Sequence, residues 1–186
     1  MLPHILALLF AASGPAFAGS DGDAALDDAV TCWEAADWAC AFDGFVTAYT
    51  RDGAAEKCLA DAHHGCGYEI LALYQSGIGA AGRVDPEARR GIADKALSLV
   101  GVLSEGQIGR EGEILFSALR FDACSRTGDT ACRNESAGLI ELALEATTAV
   151  DDTEEMLVAM KNDTGITYPL NLRAVIAEVS ATETNE

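Results

Sequence analysis

Six cysteines carry most of the chemistry this sequence offers: Cys32, Cys40, Cys58, Cys66, Cys124 and Cys132. They form three pairs, each with seven intervening residues, and none is left over. Many pairings are open to six thiols. The repeated spacing favours the local set, Cys32–Cys40, Cys58–Cys66 and Cys124–Cys132. Each pair brackets a turn signal: Ala36-Asp37-Trp38, His63-His64-Gly65 and Thr127-Gly128-Asp129. Asp37 and Asp129 suit helix N-caps, and Gly128 suits the position just past a helix C-terminus. One cysteine then lies about a turn before a helix end and its partner about a turn into the next helix, within disulfide reach. Zinc ligands usually stand roughly two to four residues apart, so this spacing fits metal poorly.

Other chemistry-bearing residues are few. His63 and His64 are weak candidates for zinc or copper. Adjacent positions on a helix or turn point different ways, so the pair reads as a solvated corner. Met156 and Met160, at i and i+4, suit core packing. Trp33 and Trp38 flank the first corner, either as peptide-binding aromatics or as packing against the first bridge. Asp21, Asp23, Asp27 and Asp28 lack the spacing of a calcium loop. The run Asp151-Asp152-Thr153-Glu154-Glu155 reads as an acidic helix start. The sequence holds no Ser-x-x-Lys, Lys-Thr-Gly, Gly-x-Ser-x-Gly or His-Glu-x-x-His. It therefore assigns no catalytic residue, and no motif calls for a cofactor.

These residues need a frame, and the frame is helical. The chain has 186 residues, is 49% hydrophobic and contains only 4 prolines. Amphipathic stretches at 24–36, 38–50, 55–62, 66–75, 86–103, 111–125, 130–147, 153–161 and 169–179 predict helices joined by short loops. In the second, Ala41, Phe45 and Ala48 make one apolar face. Asp85-Pro86-Glu87 supplies an N-cap, an N1 proline and an early acid. Short loops between many such helices predict an all-α stack of αα-hairpins, a repeat solenoid stapled by disulfides.

Lys plus Arg is 12 and Asp plus Glu is 30, a net charge of −18. That balance excludes a general nucleic-acid binder and favours a protein or peptide partner that is basic. Residues 1–18 read as a secretory signal peptide: an apolar run from Ile5, Pro15, then Ala16-Phe17-Ala18 as a cleavage site. The expected organisation is a signal peptide at 1–18, a helical domain at 19–179 and a polar tail at 180–186. The expected location is periplasmic or secreted, with no membrane span after cleavage.

The stretch from Cys58 through His63-His64-Gly65-Cys66, followed by Leu71-Ala72-Leu73-Tyr74-Gln75-Ser76-Gly77-Ile78-Gly79, then Val84-Asp85, Ala88, Ile92 and Lys95-Ala96, resembles a Sel-one-like repeat, a relative of the tetratricopeptide repeat. Corners stapled by Cys-x7-Cys are similar to the family's secreted cysteine-rich bacterial subfamily. The resemblance covers about 55–97. It implies that Leu71, Tyr74, Gly77, Gly79, Asp85, Ala88 and Ala96 hold the repeat together, with Gly77 and Gly79 in an interhelical turn and Ala88 and Ala96 letting helices approach. It implies protein interaction as the activity, with a weak β-lactamase or penicillin-binding hydrolase as the alternative; a metal or haem chaperone using His63 and His64 is a third reading. The sequence departs from the pattern in two respects. The first two cysteine pairs start 26 residues apart and the last two 66, and Ala80-Ala81-Gly82-Arg83 lengthens the glycine segment.

Overall fold

A computed structural model describes residues 20–50, 65–103, 107–145 and 148–183. Among them are eight helices and no strand: α1 (Ser20–Glu34), α2 (Trp38–Thr50), α3 (Gly65–Ala81), α4 (Pro86–Leu103), α5 (Gln107–Thr127), α6 (Thr130–Ala143), α7 (Ala149–Thr164) and α8 (Leu172–Glu183). The described residues are all-α, as the composition predicts. No helix among the described residues is long and apolar enough to cross a membrane. The expected signal peptide, the short helix at 55–62, Cys58, His63 and His64 lie outside the described residues, and with them the 58–66 pairing. α8 runs on through 180–183, where the composition alone suggests a polar tail.

From α1 to α6 each helix packs against the next. α7 and α8 then both pack on α5, and α8 also touches α6. Arg173 of α8 pairs with Asp151 and Glu154 of α7, yet these two helices rest on α5 rather than on each other. α5 is consequently apolar on two sides. Leu115, Phe116 and Leu119 enter a core shared with α1 to α4. Ile114, Ala118 and Phe121, at i, i+4 and i+7, enter a second core with Ile140, Ala143, Leu172 and Val179. A helix hydrophobic on opposite faces belongs in the interior, and this one is the spine of the molecule.

Both described corners have the same construction. Cys32 and Cys40 are bridged with Cα atoms 5.7 Å apart, and Cys124 and Cys132 with Cα atoms 5.8 Å apart. In each, an aspartate N–H returns to the first cysteine's carbonyl, Asp37 to Cys32 and Asp129 to Cys124, both at 2.9 Å. This is the Schellman closure of a helix end. The same aspartates then cap the next helix, accepting from the N–H of Cys40 (3.3 Å) and Cys132 (3.0 Å). The residue before each takes positive φ: Gly128 at 76° and Ala36 at 56°.

The structure corrects the expected turn at Gly77 and Gly79. Both lie inside α3, which continues to Ala81. Their value is close approach: a Cβ on Gly79 would stand 2.7 Å from the Trp38 indole, and one on Gly77 3.0 Å from the Phe42 ring. Packing against these aromatics offsets the helix-breaking tendency of glycine. The chain turns later, after the Gly82 and Arg83 N–H groups bond back to Ile78 and Ala80. Ala88 is corrected too: it is exposed near the start of α4, where its N–H bonds the Asp85 cap at 2.9 Å. Ala96 and Tyr74 are fully buried, and Leu71 packs at the core's edge, consistent with a structural part for each.

Candidate functional site

A cleft of about 380 Å³ opens where three distant segments meet. Ala36 and Trp38 come from the first stapled corner, Ile78, Gly79, Gly82 and Arg83 from the end of α3, and Thr164, Gly165, Ile166 and Thr167 from the end of α7. Trp38, Ile78 and Ile166 are buried and make an apolar floor, while Gly82, Arg83, Gly165 and Thr167 are exposed at the lip. The exposed lining is about as polar as apolar, and the volume sits at the small end of the range of ligand clefts.

Each wall is fixed by its own local chemistry. The Cys32–Cys40 bridge and the Asp37 cap hold the Ala36–Trp38 corner. Trp38 meets Trp33 edge to face, with ring centroids 6.4 Å apart. The Trp33 indole N–H donates to Gln75 Oε1 at 3.2 Å, tying α1 to α3. The end of α3 is clamped by Arg89, whose Nε donates to the Ala81 carbonyl at 3.0 Å while Nη1 pairs with Asp122 at 2.9 Å. Gly165, at φ 73°, stops α7, with its N–H on the Lys161 carbonyl. Thr164 Oγ1 donates to Met160 (2.7 Å) and accepts from the Ile166 N–H (3.3 Å). Beyond it the Tyr168 hydroxyl donates to the Leu115 carbonyl at 2.6 Å, anchoring the loop on α5. Burial holds the Tyr168 phenol well above its ordinary pKa, so it stays a neutral donor.

The electrostatics of the cleft run against those of the chain. No lining residue is acidic. Asp37, between two of them, has one carboxylate oxygen turned to the Cys40 N–H. Most described cations are paired: Arg90 with Asp129, Lys95 with Asp43, Arg120 with Asp94 and Glu135, Arg133 with Glu178. Among the described residues Arg83 makes no ion pair, so its guanidinium is open at the lip. The functional groups on offer are thus one cation, threonine hydroxyls and the edge of a buried indole. They offer hydrogen bonds, one positive charge and apolar contact.

Of the residues singled out by sequence, the structure brings Trp38 and Gly79 into this cleft and places Trp33 behind it. Met160 is core and Met156 packs beside it. Arg83, Thr164, Ile166 and Thr167 carried no signal in the sequence, because no local pattern marks the ends of α3 and α7 as neighbours. A second polar cluster, where Tyr74 abuts Gly112 between Glu111 and Glu113, is part of the α3–α5 packing. Burial raises the pKa of both the Tyr74 phenol and the Glu113 carboxyl, while Arg110 draws Glu113 back down. Among the described residues no group of three or more His, Cys, Asp or Glu side chains is placed to hold a metal ion. The chain matches no protein-family model, no curated protein and no solved structure.

Proposed function

We propose that this chain is a disulfide-stapled interaction module: a degenerate stack of αα-hairpins of the Sel-one-like type, acting in the periplasm or outside the cell by holding a polypeptide segment. The observation that carries this reading is the cleft, walled by three separately braced segments and lined with apolar, hydroxyl and cationic groups. A rigid site loses little entropy when occupied. Two disulfides are compatible with an oxidising compartment. The apolar floor takes a side chain, and Thr167 and Arg83 meet backbone carbonyls or a carboxylate of the same segment. The charge of −18 makes the preferred segment basic outside the cleft.

The test is peptide binding to the oxidised full chain, compared with Gly82→Phe. A Cβ at Gly82 meets only carbonyl oxygens, the nearer at 3.5 Å, so the backbone there admits a side chain at the cleft's lip, and helicity checks that the variant folds. With an array of short basic and acidic peptides, we expect basic ones to bind preferentially, to weaken with added salt, and to lose at least about tenfold in affinity in Gly82→Phe. Equal binding by a variant with unchanged helicity, or no peptide bound by the native chain, overturns the proposal.

A further inference from the structure

The two described bridges close identical corners but stand in unlike surroundings. Cys124 and Cys132 are buried, 0% and 4% exposed. Cys32 is half-buried and Cys40 is exposed. The turn inside the buried bridge uses Gly128, for which positive φ is unstrained; the turn inside the accessible bridge forces Ala36 to φ 56°. A non-glycine residue there is disfavoured by contact between its Cβ and the following carbonyl. Accessible bridges that close strained turns are the ones that exchange with thiols. The accessible bridge also closes the corner that supplies Ala36 and Trp38 to the cleft, whereas neither cysteine of the buried one lines it.

We infer that Cys32–Cys40 is a redox-active disulfide that exchanges with dithiols, and that Cys124–Cys132 is a structural one. One thiolate of the dithiol attacks the Sγ of Cys40, the more exposed residue of the pair. The S–S bond breaks, a mixed disulfide forms on Cys40, and Cys32 leaves as thiolate and takes a proton. The second thiolate of the dithiol attacks the mixed disulfide and releases Cys40. The dithiol is oxidised to its disulfide, and the bridge is reduced to two thiols. Reduction frees Ala36 to leave positive φ and unclamps the Trp38 wall. The exchange stands independently of what occupies the cleft.

The experiment is a dithiothreitol titration of the full chain, quenched with an alkylating reagent and mapped by peptide mass, with circular dichroism and tryptophan fluorescence read in parallel. We expect Cys32 and Cys40 to become alkylated at dithiothreitol concentrations at least about tenfold below those needed for Cys124 and Cys132. Fluorescence should change with the first step while helicity persists. In Ala36→Gly the first midpoint should move about fivefold higher. Simultaneous reduction of both bridges, or loss of helicity in step with the first, shows Cys32–Cys40 to be structural and overturns the inference. An unmoved midpoint in Ala36→Gly removes the strained turn from it and leaves accessibility as the whole cause.

Discussion

Ala36 and Gly128 are equivalent residues in equivalent corners, and they make a matched experiment. Ala36→Gly removes a strained Cβ, and Gly128→Ala creates one in open space where nothing else clashes. The first should stabilise the oxidised chain and the second destabilise it, each by about 1 kcal/mol in chemical denaturation. Asp129 makes a second test. The Cys132 N–H and then the Arg90 guanidinium hold its carboxyl below the ordinary 3.8. A lowered folded-state pKa contributes stability above the unfolded value and loses it as pH falls through the folded one. Asp129→Asn keeps an oxygen for the cap but not the charge. The native chain should therefore exceed this variant in melting temperature at neutral pH, and the difference should shrink on acidification below 3.8.

At the scale of helices, glycines divide by what faces them. Gly79 and Gly112 lie against Trp38 and Tyr74, with no room for a methyl group; Gly91 and Gly138 have nothing within 4 Å. Gly91→Ala should stabilise by about 0.5–1 kcal/mol through helix propensity alone, and Gly79→Ala should destabilise by about 1–3 kcal/mol through overpacking, both read from denaturant midpoints. The same distinction explains what the sequence made legible. α2 was readable to the residue, from Trp38 to Thr50, because a cap, an apolar face and a cysteine agree. The start of α4 was equally plain from Asp85 and Pro86. Gly77 and Gly79 misled because local propensity says turn, and only the facing aromatics, distant in sequence, keep the helix running. The glycines near 109–112 hid the first turns of α5 for the same reason: Gly112 is a seat for Tyr74, and Tyr74 lies in another helix.

Across the whole molecule the cleft was the least legible feature. Its polar groups come from segments some 80 residues apart, and only packing on α5 makes them neighbours. Cys124–Cys132 fastens the C-terminal end of that spine. Replacing both its cysteines with alanine should cost about 2–3 kcal/mol in denaturant unfolding, from the loop entropy returned to the unfolded chain, with the cleft's peptide affinity unchanged. Both described bridges join cysteines only eight positions apart. As the chain emerges end first from a ribosome or a translocation pore, Cys32 and Cys40 meet before any other cysteine appears. Oxidation in order of arrival is already correct for that first staple, which can close without an isomerase to undo mistakes.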